Sequence, residues 1–215
     1  MMKKIFIIIF LMSNSVMADM DKNMVNNFIE YMHDEHSYNK IELKELFDNV
    51  KVESRIKKYF KKAPERILTW NGCSRKDKKC TNYKNLFVTK KNIGNGIKYW
   101  NQNSDALVKA EKKYGVPAEI IVAIIGIESK YGSRMGTFKT FDTLVSLSLG
   151  PNKGRRAKFF KTELENFLLM CRENELNPSF IKGSYAGALG KPQFISSSYR
   201  HYAIDFDNDG KINLW

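Results

Sequence analysis

The chain has 215 residues, enough to bury a substantial core as one large domain or two small ones. Its formal charge of +13 favours polyanionic partners such as nucleic acid, anionic lipid or an anionic cell wall. The lysines are spread along the chain, with no dense basic run interleaved with aromatics and no nucleic-acid module motif, which argues against nucleic acid.

In chain order, "MMKKIFIIIFLMSNSVMA" opens with two lysines, an apolar stretch from Ile5 to Met12, and then Val16-Met17-Ala18. That is the layout of a secretory signal over residues 1–18, cleaved near Ala18. The apolar stretch is too short to span a bilayer, and no cysteine near the cut offers a lipid attachment point. The expected product is an exported, periplasmic, soluble protein without a transmembrane segment.

"DKNMVNNFIEYM" predicts a helix capped by Asp21, with Met24, Phe28, Ile29 and Met32 on one face. "IELKELFDNV" and "RIKKYF" predict two more short amphipathic helices. Residues 64–88 predict a crossing loop. It holds Cys73 and Cys80, a plausible disulfide pair in an oxidising compartment and a poor zinc site without a nearby histidine. One long helix is expected from Lys90 to Tyr114, ended by Gly115.

Pro117 suits the start of the next helix, "PAEIIVAIIGIESKY". Apolar residues on nearly every side of it imply burial all round. "FDTLVSLSL", the basic turn "GPNKGRRA" and the amphipathic "KFFKTELENFLLMCRENE" follow. In the last, Phe160, Leu164, Phe167, Leu168 and the core thiol Cys171 share a face, while Glu163 has the pattern of the surface. The remainder is rich in loops. The fold class is mainly α.

Three constellations carry chemistry. Glu128 closes an apolar helix, where low polarity and the negative end of the helix dipole both raise a carboxyl pKa, as a general acid requires. The bland reading is a solvated helix end. In "GSYAGALGKPQFISSSY", Gly183, Gly187 and Gly190 allow close backbone approach while Ser184, Gln193 and Tyr199 offer hydrogen-bonding groups to a sugar. The alternative is an ordinary loop with Ser184 and Gln193 capping helices. Asp205, Asp207, Asp209, Gly210 and the Lys211 carbonyl match the start of an EF-hand loop, whose closing carboxylate would fall just past Trp215. A weak calcium or sodium site is expected.

In order, "GVPAEIIVAIIGIESKYG", "RRAKFFKTELENFLLM", "KGSYAGALGKPQF" and "SSSYRHYAIDFDNDGKINLW" resemble the membrane-bound lytic murein transglycosylase B family, from about Phe87 to the last residue. The resemblance implies a lysozyme-like core over 89–215, preceded by a helical region over 19–88. It implies Glu128 as the single catalytic acid and Arg155 and Arg156 as the arginine pair near it, with Ser184 and Gln193 contacting substrate. The implied partner is a peptidoglycan strand, cleaved between N-acetylmuramic acid and N-acetylglucosamine with closure of a 1,6-anhydro ring. The implied protein is a monomer that needs no cofactor for chemistry, with a structural calcium site in the acidic loop.

Ordinary glycosidases need two carboxylates, and only Asp142 and Glu163 stand as candidates for a second. The sequence departs from the family pattern at Lys191, Pro192 and Ser196, and it stops where the family continues. It is therefore expected to be a C-terminally truncated member. A non-catalytic wall-binding remnant and an exported calcium-dependent interaction protein are the alternatives.

Overall fold

The computed structural model describes residues 20–61, 82–151 and 154–215. The expected export signal and the Cys73 and Cys80 stretch lie outside the described residues. Helix α1 (Lys22–His36) begins as its sequence predicts, the Asp21 carboxylate accepting the N–H groups of Asn23 and Met24. Its buried stripe is Val25, Phe28, Ile29 and Met32. Asn39 caps α2 (Lys40–Asp48) in the same way, and that helix buries Leu43 and Phe47. The Phe28, Phe47 and Phe141 rings meet edge to face at centroid separations of 5.9 and 5.2 Å, which docks both helices on the second half of the chain. Helix α3 (Ile56–Lys61) follows, and α4 (Tyr83–Phe87) lies within the expected crossing loop.

The long helix expected from Lys90 to Tyr114 is two helices, α5 (Lys90–Gln102) and α6 (Ser104–Tyr114). Asn103 breaks it. Its backbone leaves the helical conformation at φ −123° and ψ 20°, and its side-chain amide joins its own N–H on the Tyr99 carbonyl, at 2.7 and 3.1 Å. Gly115 ends α6 in the left-handed conformation, as expected. Helix α7 (Ala118–Ser129) then packs on α5 and α6 around Leu107, Ala118 and Val122, with Tyr99, Trp100, Ile121 and Tyr131 at the margin.

Burial of α7 all round is not observed. Ile120, Ile124 and Ile127 are 48, 50 and 51% exposed, because its close packing among the described elements is with α5 and α6 on one side.

The larger core is built on α8 (Thr140–Ser148) and α9 (Ala157–Glu173), with α10 (Ser196–Tyr202) packed on α9. Phe160, Leu164, Phe167, Leu168 and Cys171 are buried, and burial pushes the Cys171 thiol up to about 12, so it stays an inert core group. Helices α1 and α2 share this core, while α5 to α7 have their own cluster.

Glu163 is a second correction. It is 3% exposed, and its oxygens accept the Ser197 N–H at 2.9 Å and the Ser197 hydroxyl at 2.7 Å, satisfying the first turn of α10. Strand β1 (Phe138–Lys139) pairs antiparallel with β2 (Lys182–Gly183), and single bridges Gly183 to Leu189 and Leu189 to Phe194 carry the ladder into the glycine-rich loop. That ladder holds the loop beside the segment that follows α7.

Candidate active site

Glu128 is the penultimate residue of α7. The chain then turns through Lys130 and Tyr131, at φ of 50° and 60°, and Gly132 at 84°. Left-handed conformations at two successive non-glycine residues cost energy and need support. Ser129 supplies part of it: its buried hydroxyl donates to the Ile125 carbonyl at 3.3 Å and accepts the Gly132 N–H at 3.0 Å. Tyr131 supplies the rest. A Cβ on Gly126 would lie 2.6 Å from its ring, and one on Gly96 would lie 2.7 Å from its hydroxyl. Only glycine at both positions lets the ring lie flush against α5 and α7.

The turn leaves Glu128 on the exposed side of the helix. Partial loss of water nevertheless raises its carboxyl above the ordinary value of 4.5. The direction is the one the sequence predicts, with less burial than it predicts. The sequence left open whether Arg155 and Arg156 would outweigh burial; burial is the cause of the upward shift, and neither arginine figures in it. Both arginines are exposed, and neither forms an ion pair with Glu128 among the described residues. The Arg156 guanidinium stacks over Phe159 at 4.3 Å and Phe160 at 5.3 Å.

Ser184 and Gln193 organise the glycine loop. The Ser184 hydroxyl oxygen accepts the N–H groups of Ala186 at 3.2 Å and Ala188 at 3.0 Å. Gln193, at φ 52°, donates from Nε2 to the Gly190 carbonyl at 2.8 Å and the Met135 carbonyl at 3.3 Å. The second bond ties the loop to the segment after Glu128. Lys191 crosses above Gly132 and donates from its backbone to the Leu214 carbonyl and from Nζ to the Trp215 carbonyl, both at 2.7 Å. The "NLW" stretch thus closes over the loop.

Tyr199, expected among the sugar contacts, is instead a core residue. It is 2% exposed, with its hydroxyl 2.9 Å from both Asn174 Oδ1 and the Ile212 carbonyl. Its place on the inner face of α10 decides this. The residues that sequence reasoning missed are Tyr59 and Phe60, whose rings both meet Tyr185 of the glycine loop. Two adjacent aromatics in a short helix were the available signal, since neighbours in a helix point to different faces.

The carboxylates of Asp205, Asp207 and Asp209 bring oxygens within 4.8 Å of one another. Burial alone would raise Asp205, but N–H groups of Gly210, Asn208 and Asp209 and a hydrogen bond with Asp207 hold its carboxyl below the usual value. The Lys211 N–H donates to Asp209 at 2.8 Å. A set of hard oxygen donors fits a calcium or sodium ion. Cavities among the described residues include one of about 600 Å³ beside Tyr38, Leu43 and Arg172 and one of about 440 Å³ beside Glu173, Ile212 and Trp215. Glu128 lines neither. Among the described residues no helix is long and apolar enough to cross a membrane.

The family model described as transglycosylase SLT domain matches residues 20–215. Membrane-bound lytic murein transglycosylase B of Escherichia coli (strain K12) is 42% identical over 189 residues, covering 87% of this chain and 51% of that protein. The crystal structure of soluble lytic transglycosylase SltB1 from Pseudomonas aeruginosa superposes with a TM-score of 0.80 at 38% identity, over 89% of this chain and 61% of that one. Escherichia coli Slt35 in complex with calcium gives 0.78 at 40% identity, over 89% and 57%. The chain thus spans about half the length of the curated relative it matches.

Proposed function

The chain belongs to the transglycosylase SLT domain family, and on that premise we propose that it cleaves the MurNAc–GlcNAc β-1,4 bond of peptidoglycan and leaves a 1,6-anhydromuramoyl end. The observation that carries this reading is Glu128, a carboxyl at the end of α7 whose pKa partial burial raises above its ordinary value. Glu128 gives that proton to the glycosidic oxygen as the bond to the muramoyl C1 breaks. The resulting carboxylate takes the proton of the muramoyl 6-hydroxyl, whose oxygen closes on C1. No water is consumed.

One acid suffices because the substrate carries its own nucleophile. Glu163 is committed to Ser197, and Asp142 is only 7% exposed, so neither is placed to activate water as in an ordinary two-carboxylate glycosidase. Arg155 and Arg156 take the lactyl and peptide carboxylates, and Ser184 and Gln193 present the glycine loop to the glycan. Asp205, Asp207, Asp209 and the Lys211 carbonyl hold a calcium or sodium ion that stiffens the chain's last turn; it takes no part in the proton transfers.

Incubation with purified murein sacculi should release anhydro-muropeptides detectable by mass spectrometry. Glu128→Gln keeps the volume but has no proton to donate, and should lower the rate by at least about 10²-fold. With Glu128 exposed, folding should change little. Cleavage by the variant at the parent rate would remove Glu128 from the mechanism.

A further inference from the structure

We propose that Tyr59 presents a sugar-stacking platform for an anionic glycan strand, an inference that rests on the peptidoglycan reading above. Four elements bring aromatic rings into one row. Tyr185, from the glycine loop, stacks on Tyr59 of α3 at 5.5 Å with 22° between the planes, and meets Phe60 edge to face at 5.1 Å. Tyr59 continues the row to Phe138 of β1 at 5.2 Å, and Phe60 continues it to Phe160 of α9 at 6.4 Å. A guanidinium caps each end: Arg55 lies 4.9 Å from the Phe138 centroid and Arg156 lies 5.3 Å from that of Phe160.

The exposure within this row is uneven. Phe138 and Phe160 are 6 and 5% exposed and suffice to pin the elements together, yet Tyr59 keeps 45% of its surface in water. An aromatic ring with one face packed and the rest open, next to cationic groups, suits a ligand that alternates apolar ring faces with carboxylates. A pyranose presents its C–H face to such a ring, and the phenol adds a hydrogen-bonding edge. Arg55 is also bonded to Glu53 at 2.6 Å, whereas Arg156 has no ion pair among the described residues. Arg156 is thus the charge available to a carboxylate on the strand. The glycine loop carries Tyr185, so a strand on Tyr59 is held by the same loop that Gln193 ties to the segment after Glu128.

The test is binding to insoluble peptidoglycan sacculi in a Glu128→Gln background, where turnover cannot consume the ligand. Tyr59→Ala should weaken binding roughly three- to tenfold, the value of one aromatic contact. Tyr59→Trp should restore it, and Tyr59→Leu, which keeps apolar volume without a ring, should not. If Tyr59→Ala unfolds, Tyr59→Leu, which keeps the apolar volume, serves as the readout. Parent-like sacculus binding by folded Tyr59→Ala or Tyr59→Leu overturns the platform. Lysis by the parent is assayed separately. Lysis with ring-independent binding defeats the platform alone, ring-dependent binding without lysis defeats the proposed activity alone, and loss of both defeats both.

Discussion

Glu163→Ala should be among the most destabilising single changes in α9. The Glu163 side chain is 3% exposed, and it accepts the Ser197 N–H at 2.9 Å and the Ser197 hydroxyl at 2.7 Å. A hydrogen bond to a charged group contributes about 1.5–3 kcal/mol, and a buried donor left unmade keeps its desolvation cost. Alanine removes both acceptors at once. The Ser197 N–H lies in the first turn of α10, where no intrahelical carbonyl can replace the lost partner. The hydroxyl of half-buried Ser197 can turn toward water, so the lower end of the range applies to it. Together these give a loss of about 3–4 kcal/mol. At about 2–4 °C per kcal/mol for a chain of this size, Tm should fall by roughly 6–16 °C. Glu163→Gln retains the volume and one carbonyl acceptor and should lose about 1–2 kcal/mol. Urea unfolding of parent and both variants, with unchanged m-values, would measure the series. An alanine variant within about 1 kcal/mol of the parent would refute the assignment of Glu163 as the anchor of α10. A folded Gln variant that loses lysis without a change in KM would return Glu163 to the chemistry.

Gly126→Ala should displace the Tyr131 ring and destabilise by about 1–3 kcal/mol, and Gly96→Ala should behave alike. Because both act on one ring, the double variant should lose less than the sum of the two, as thermal unfolding would show. Asp142 is held above its ordinary value of 3.8, mainly by burial, so the folded chain keeps that proton to higher pH than the unfolded chain does. Its contribution to stability therefore falls as pH rises from about 3.8 through the folded-state pKa; Asp142→Asn should flatten that slope and leave stability at pH 7 equal or greater, measured by unfolding across pH. Calcium should raise Tm only slightly at millimolar concentration, since a ligand present at its Kd stabilises by about 0.4 kcal/mol and a weak site has a Kd in that range. A large calcium shift in calorimetry would mean that a further group closes the acidic loop.

What the sequence determined by itself is local. Asp21 and Gly115 mark helix ends because a cap needs only its own few residues, and the stripe of α9 follows from spacing alone. Glu128 was legible for the same reason, as a charge ending an apolar run, and so were the acids of the last loop. Its family resemblance extended that reading to Arg155, Arg156, Ser184 and Gln193.

Tertiary structure decided which faces meet. Glu163 lies one turn from Phe160 and Phe167 on the buried face, and it can stay there only because α10 brings Ser197 to it from 34 residues away. Tyr199 is drawn inward by Asn174 and Ile212, leaving the loop's hydrogen bonding to Ser184 and Gln193. Helix α7 is apolar all round, yet one side stays half-exposed, because periodicity states what a surface is and cannot state what covers it. The ring row through Tyr59 and Tyr185 joins residues 126 positions apart in the chain. Such a contact depends on where a short helix and a distant loop are carried by the rest of the fold, and no local pattern encodes it.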